Sequence, residues 1–116
     1  MPEILRRPRP EPATVFAALG DATRLSLIKK LSGAGPRSIG HLTHDSSISR
    51  QAITKHLGVL ENAGLVLRSR EGRVTSYQLD PAAIEQIRGY LDQVSDQWRG
   101  ALARLKSFVE NEKPEM

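Results

Sequence analysis

Apolar side chains recur at helical spacing over five stretches of this chain, and they alternate at strand spacing between the fourth stretch and the fifth. The first stretch predicts a short helix from Ala13 that closes at Gly20, because glycine is common just past a helix end. A second helix follows from Ala22, with Asp21 as its N-cap, and the glycines and proline of residues 33–36 end it. Its apolar positions at helical spacing are Leu25, Ile28 and Leu31.

Two further helices follow, separated by a short polar turn. Ser38 is placed to cap the third helix, which is short and ends in the polar residues 45–47. Ser49 is placed to cap the fourth helix, and Gly64 suits the left-handed backbone that often follows a helix. Two helices joined by a tight turn are therefore predicted in succession. The fourth helix has one apolar stripe, formed by Ile53, Leu57 and Leu60.

Residues 65–70 and 74–79 alternate in polarity with a period of about two, which predicts two strands. Glu71 and Gly72 lie between them, and a glycine at the second loop position supplies the positive φ that a tight hairpin needs. The pattern therefore predicts a two-stranded ribbon with Arg73 near its tip.

The last helix is the longest, and Asp80 and Pro81 suit its N-cap and first position. Its apolar residues are spaced alternately three and four apart, which is a heptad stripe. A stripe of this length exceeds what a domain of this size can cover, so we expect part of it to contact a second copy of the chain. Packing on the protein's own first helix is the alternative. The stripe consists of Ile84, Ile87, Leu91, Val94, Trp98, Ala101, Leu105 and Phe108.

Residues 1–12 contain four prolines and three arginines, which predicts a disordered basic N-terminal arm. Such an arm could follow a DNA groove or could be a plain tail. A single domain is expected over residues 13–112, because 116 residues with 39% hydrophobic content suffice for one core and not for two.

Charge and composition narrow the class of partner. The formal net charge is +4 and the isoelectric point is about 9.9, which favours an anionic partner. Residues 47–79 hold five basic and two acidic side chains, whereas residues 80–116 hold five basic and seven acidic ones. The sequence has no cysteine, so disulfides and thiolate metal sites are excluded. Neither a secretory signal nor a membrane span is recognisable, and we expect a cytoplasmic protein.

The fourth helix carries the candidate chemistry on the side opposite its apolar stripe. Gln51, Thr54, Lys55 and Gly58 fall on that side at 100° per residue. Gln can bind adenine through two hydrogen bonds, Lys can reach guanine or phosphate, and Thr offers a hydroxyl and a methyl group. Arg50 lies at the helix start, where a phosphate can meet its guanidinium and free backbone N–H groups. These properties suit the major groove of double-stranded DNA.

A polar helix face can also be merely solvated. Here the arginines of the ribbon follow it directly and extend it into one basic surface, which favours contact with DNA. The predicted DNA-binding residues are Ser49, Arg50, Gln51, Thr54, Lys55, Arg68, Arg70 and Arg73.

These residues also carry a resemblance to the ArsR family of winged-helix repressors. The matching stretches occur in the family's order and spacing over about residues 14–80. They are Leu19–Leu25 (LGDATRL), similar to the family's opening signature; Ile48–Leu57 (ISRQAITKHL), similar to its recognition helix; Val59–Val66 (VLENAGLV); and the wing, Arg70–Arg73 (REGR) followed by Tyr77–Leu79 (YQL).

The resemblance implies a mainly α fold with a small β-hairpin: a winged helix-turn-helix of five helices and a two-stranded wing. It also implies a homodimer, formed through the first and last helices, that binds an operator of imperfect two-fold symmetry and represses transcription. The long last helix is similar to that of a subgroup without metal ligands, and neither a cofactor nor an effector ligand is identified. The implied dimer contacts are Val15, Phe16, Leu19, Ile87, Leu91, Val94, Trp98, Leu102 and Leu105.

Other chemistry is less well supported by the residues. His41 and His44 beside Asp45 could hold a metal weakly, but exposed histidines on a short helix are the favoured interpretation, so we predict no metal site. A half-buried, hydrogen-bonded His56 is favoured over a catalytic base. No phosphate-binding glycine loop or nucleophile motif is present, and we expect no enzyme. The competing hypothesis is a winged-helix protein-protein interaction module that does not bind DNA.

Overall fold

The structure, a computed structural model, describes residues 3–5 (backbone only), 11–33, 35–44 and 46–111. This part of the chain contains five helices and four strands. In chain order they are β1 (Glu3–Leu5), α1 (Pro12–Leu19), α2 (Ala22–Leu31), β2 (Arg37–Ser38), α3 (Ile39–Thr43), α4 (Arg50–Asn62), β3 (Val66–Glu71), β4 (Val74–Leu79) and α5 (Pro81–Asn111).

Side chains just ahead of four helices determine where those helices begin. Asp21, Ser38 and Ser49 each accept a hydrogen bond from the backbone N–H three residues on, at 3.0 to 3.1 Å. Asp80 accepts one from the N–H two residues on at 3.0 Å. Each bond satisfies a backbone donor that the first turn leaves unpaired. The predicted starts of α2, α3, α4 and α5 are therefore confirmed, and Gly64 follows α4 with the expected positive φ of 77°.

The hairpin of β3 and β4 turns one residue later than the sequence predicts. Glu71 pairs with Val74, so the loop consists of Gly72 and Arg73. Gly72 is therefore the first loop residue and not the second, and its φ of 61° is the left-handed conformation that a two-residue hairpin requires there. Arg73 occupies the other loop position, at the tip of the wing.

Two short strands extend the hairpin into a four-stranded antiparallel sheet with the order β1-β3-β4-β2. Arg37 pairs with Tyr77 on one edge, and Glu3 pairs with Arg70 on the other. The sequence predicts neither strand, since two or three residues are too few to display an alternating pattern. Of the predicted disordered arm, residues 3–5 form β1 and residues 11 and 12 lie at the start of α1. Residues 1, 2 and 6–10 lie outside the described residues, and their disorder stays a prediction.

The core lies among α2, α3, α4 and the start of the wing. Of the three apolar positions at helical spacing on α2, Leu31 is buried and Leu25 is 51% exposed, and Leu27 is the other buried position of this helix. Leu27 and Leu31 are one turn apart and share a face. The fully buried large side chains are Leu27, Leu31, Leu42, Ile53, Leu57, Leu60 and Leu65.

The chain divides into two compact units, residues 1–84 and 85–116. The first contains the sheet and helices α1 to α4, and the described residues of the second are those of α5 beyond its first turn. At 1.5 Å per residue, the 31 residues of α5 span roughly 46 Å. Among the described helices, none combines the length and apolarity that a membrane crossing requires.

Candidate nucleic-acid interface

Helix α4 buries one side and presents a polar, basic side to solvent. Ile53 and Leu57 are buried in the first unit, whereas Gln51, Thr54 and Lys55 are exposed. Within the described part of the chain, the side chains of Gln51 and Lys55 have no hydrogen-bond or ion-pair partner. We call Gln51, Thr54 and Lys55 the recognition face. Its predicted outward orientation agrees with the structure.

The hydroxyl of Thr54 is already committed inside the helix. Its Oγ1 donates to the backbone carbonyl of Arg50 at 2.9 Å. The oxygen lone pairs and the methyl group remain available to a ligand. Thr54 is therefore suited to accept a hydrogen bond or to contact a thymine methyl group, rather than to donate.

The start of α4 presents a cap and a cation together. Ser49 Oγ accepts the N–H of Ala52 at 3.1 Å, which leaves other first-turn N–H groups free for an anion. Arg50, the first helical residue, is exposed. A phosphate at this end would meet backbone donors, the positive end of the helix dipole and a guanidinium.

The wing carries two of its predicted arginines into solvent. Arg73 is exposed at the hairpin tip, and Arg70 is exposed with its Nε donating to the carbonyl of Gly72 at 3.3 Å. That bond fixes the stem of Arg70 against the turn while its terminal N–H groups stay available. Both side chains are positioned for an anionic partner.

Arg68 has a different environment from the other predicted DNA contacts. Its Nε lies 3.3 Å from Oε2 of Glu61 on α4, and the Glu61 side chain is only 9% exposed. Neither atom has an aligned hydrogen bond among the described residues, so the contact is an ion pair. A buried carboxylate without a counterion is costly. Arg68 therefore neutralises the charge of Glu61 in this structure, and the sequence did not reveal this contact.

Tyr77 lies opposite Arg68 on the neighbouring strand. Burial raises the pKa of Tyr77, and the negative charge of Glu61 raises it further, while Arg68 acts in the opposite direction. Glu61, Arg68 and Tyr77 therefore form one cluster that ties the recognition helix to the wing.

A second cluster contacts α4 through His56, and sequence reasoning did not identify it. Arg24 donates from Nε to the carbonyl of Ala18, and its Nη1 lies 3.2 Å from Nδ1 of His56. Asp21 lies 3.9 Å from the same nitrogen. The half-buried, hydrogen-bonded state predicted for His56 is therefore observed. The only sequence signal for this cluster is that its charged members fall within the motifs of the family resemblance.

The predicted dimer contacts differ in how much surface they offer. On α1, Val15 is 5% exposed and belongs to the core of its own chain, whereas Phe16 is exposed and Leu19 is half-buried. On α5, Ile87 and Val94 are half-buried. The exposed members are Leu91, Trp98, Leu102 and Leu105, and Phe108 extends the same stripe.

No three His, Cys, Asp or Glu side chains among the described residues come together in a way that could hold a metal ion. His41 and His44 are both exposed on the third helix and its C-cap. Nε2 of His41 contacts Nη1 of Arg37.

Comparison with known proteins identifies the fold and the family. The family described as "Bacterial regulatory protein, arsR family" matches residues 21–67. The chain is 35% identical over 101 residues to the HTH-type transcriptional regulator Rv2034 of Mycobacterium tuberculosis, covering 87% of this chain and 91% of that protein. It is 29% identical over 101 residues to the arsenical resistance operon repressor of Escherichia coli, covering 86% and 83%.

A solved structure agrees with these sequence matches. The ArsR-like transcriptional regulator from Rhodococcus sp. RHA1 superposes with a TM-score of 0.74 at 35% identity, over 84% of this chain and 91% of that one. The predicted winged helix-turn-helix fold is thereby confirmed. The chain belongs to the ArsR family of bacterial regulatory proteins, and it is a transcriptional regulator with a winged helix-turn-helix DNA-binding domain.

Proposed function

We propose that this protein is a dimeric repressor that inserts α4 into the major groove of an operator of imperfect two-fold symmetry. Gln51, Thr54 and Lys55 contact base edges, and the two wings contact the flanking backbone. The proposed function is binding alone, without a catalytic step. Because the target is chromosomal DNA, the protein acts in the cytoplasm.

The observation that carries this proposal is the recognition face. An amide, an ammonium group and a threonine methyl are presented together on the solvent side of a helix whose other side is in the core. Amide and ammonium groups at this spacing can meet successive base pairs along the groove. A helix that served only as solvated surface would not need this combination.

The backbone contacts come from the ends of the same surface. Ser49 and Arg50 would bind a phosphate at the start of α4, and Arg70 and Arg73 would bind phosphates beside the wing. Arg68 was predicted among these contacts, but its ion pair with Glu61 supports a structural role instead.

The dimer is supported by the exposed stripe on α5. Large apolar side chains rarely remain exposed in such a continuous row, and a second copy of the chain is the natural partner for a self-complementary helix. Two copies place two recognition helices on one operator, which explains the expected two-fold symmetry of the site. Repression is supported by the Escherichia coli relative, which is named as a repressor.

The decisive experiment is a fluorescence titration of the protein with DNA from immediately upstream of its own gene and with random DNA. It is run at about 50 mM and about 200 mM salt, since phosphate contacts make the affinity fall steeply between these values. Gln51→Ala and Lys55→Ala should each weaken binding to the upstream site by about 1 to 3 kcal/mol and change random binding little. Arg73→Ala should weaken both and reduce the salt slope by about one unit.

Arg88→Ala is the matched control, because Arg88 is an exposed helical arginine paired with Glu85 on α5 and has no place in the proposed interface. Its affinity and salt slope should equal those of the natural protein. Equal losses on both DNAs for Gln51→Ala would demote that residue to a backbone contact. If the wild-type protein bound neither the upstream DNA nor random DNA, the interaction-module hypothesis would be favoured.

A further inference from the structure

A pocket of about 310 Å³ lies beside the first helix of the helix-turn-helix pair. Lys30 lines it from α2, Arg37 from β2, and His41 and His44 from α3 and its C-cap. We call these four residues the basic pocket. None of the described residues that line it is acidic, so it is a concentration of positive charge apart from the recognition face.

The guanidinium of Arg37 is held in place at this pocket. Its Nε donates to the backbone carbonyl of Lys30 at 3.1 Å, and its Nη1 contacts Nε2 of His41. These two contacts leave the other terminal N–H groups without a described acceptor. A cation that is fixed by the backbone and still has free donors is suited to bind an anion, because little side-chain entropy is lost on binding.

The same contact weighs against a metal ion. Arginine can only donate, so Nε2 of His41 must accept, and its lone pair is occupied by a positively charged neighbour. A metal ion would have to displace the guanidinium and then lie beside it. Anions do not meet this obstacle.

We propose that the basic pocket binds a phosphate group, and that in the operator complex this phosphate belongs to the DNA backbone. The choice of DNA rests on the proposed function: in a helix-turn-helix pair the first helix crosses the backbone while the second enters the groove. α3 is that first helix. The pocket would therefore anchor the strand that flanks the bases read by α4.

The DNA arm of the test uses Lys30→Ala, with Lys29→Ala as its control. Lys29 is the neighbouring exposed lysine on α2 and does not line the pocket. Lys30→Ala should lower the affinity for upstream DNA and for random DNA equally, by roughly three- to tenfold. It should also reduce the salt slope by about one unit. Lys29→Ala should change neither quantity.

Arg37→Lys provides a second variant that keeps the charge and removes the planar fork. Arg37→Lys should still weaken DNA binding, although by less than Arg37→Gln does. A pure effect of net charge would leave binding by Arg37→Lys unchanged, and that result would contradict a specific role for the guanidinium. Circular dichroism of both variants checks that β2 and α3 remain folded.

The second arm uses inorganic phosphate without DNA and follows the imidazole resonances of His41 and His44 by NMR. Saturable shifts that Lys30→Ala weakens would establish the pocket as a phosphate site even if the protein binds no DNA. If the pocket bound phosphate but Lys30→Ala left the DNA salt slope unchanged, the proposal that the bound phosphate belongs to DNA would be overturned. The pocket would then be assigned to a small anion. If phosphate caused no shifts and Lys30→Ala left the DNA salt slope unchanged, the proposal of a phosphate site would be overturned, and the proposal for the recognition face would be unaffected.

Discussion

Nη1 of Arg24 lies 3.2 Å from Nδ1 of His56, so a residue of α2 holds a residue of the recognition helix from 32 positions away along the chain. Because arginine cannot accept a hydrogen bond, Nδ1 of His56 accepts and its other ring nitrogen carries the proton. The Nε of the same guanidinium donates to the carbonyl of Ala18 in α1. One side chain thus connects three helices.

Replacing Arg24 should loosen that connection. Arg24→Ala removes the donors to His56 and to the carbonyl of Ala18, and we expect a loss of about 1 to 2 kcal/mol in the free energy of unfolding. Urea unfolding followed by circular dichroism measures this loss. Arg88→Ala, which removes an exposed arginine from α5, should stay within about 0.5 kcal/mol of the natural protein. Coincident unfolding curves for Arg24→Ala and Arg88→Ala would contradict the role given to this contact.

The charge of Asp21 should make the same region sensitive to acid. The backbone N–H of Arg24 lowers the pKa of Asp21 below its ordinary 3.8; burial opposes this effect, and the nearby guanidinium adds to it. A carboxyl whose pKa is lower in the folded state stabilises the fold above its unfolded pKa. That contribution is lost as pH falls through the folded value.

Asp21→Asn tests this sign, because asparagine keeps the N-cap acceptor and removes the titrating charge. Urea midpoints are compared at about pH 6, where the carboxyl is ionised in both states, and at about pH 3, below its ordinary pKa. The natural protein should lose more stability between the two pH values than Asp21→Asn does. Parallel losses in the two proteins would show that Asp21 does not contribute to the acid sensitivity.

The elements and contacts that the sequence predicts correctly depend on neighbours in the chain. Asp21, Ser38 and Ser49 cap the helices that directly follow them, and Gly72 turns the hairpin in which it lies. The outward orientation of the recognition face follows from helical periodicity alone. Local rules are sufficient in each of these cases.

What the sequence does not predict depends on residues that are distant in the chain. β2 exists because Arg37 and Ser38 pair with β4, which lies beyond α3, α4 and β3. Arg68 has the alternation and charge of a solvent-facing wing residue, yet its partner is Glu61 on α4. Leu25 continues a helical pattern but faces solvent, because packing around α2 selects Leu27 and Leu31. Pairing and packing choices of this kind are not encoded in any local window.

We expect the ion pair of Arg68 and Glu61 to contribute to the free energy of unfolding and not to DNA binding. Arg68→Met leaves a nearly buried carboxylate without its counterion, and we expect a loss of about 1 to 3 kcal/mol in unfolding free energy. The double variant Arg68→Met with Glu61→Leu removes both charges and should recover most of that loss, since an apolar pair of similar size avoids the desolvation cost.

Urea unfolding of the single and double variants forms the cycle that isolates this interaction. DNA titrations of the double variant add a second readout: its salt slope should equal that of the natural protein, in contrast to Arg73→Ala. A slope reduced by about one unit would restore Arg68 to the set of backbone contacts. An additive cycle would show that the ion pair contributes nothing.

The stripe on α5 should determine whether the protein dimerises. Trp98 is 64% exposed in the single chain, so Trp98→Glu should cost the monomer little stability. In a dimer the same position would bury an unpaired carboxylate against an apolar partner, which is strongly unfavourable. Sedimentation should therefore show a dimer for the natural protein and a monomer for Trp98→Glu. The monomer should bind its operator weakly, because it occupies one half-site only.

Gln97→Glu is the matched control, since it introduces the same carboxylate at the neighbouring exposed position off the stripe. It should remain dimeric and bind DNA normally. If Trp98→Glu remained a dimer, the interface would lie elsewhere than this part of α5. If the wild-type protein sedimented as a monomer, dimerisation would not be part of the mechanism. Loss of the dimer in both variants would indicate a general effect of negative charge on α5 rather than a packed contact at Trp98.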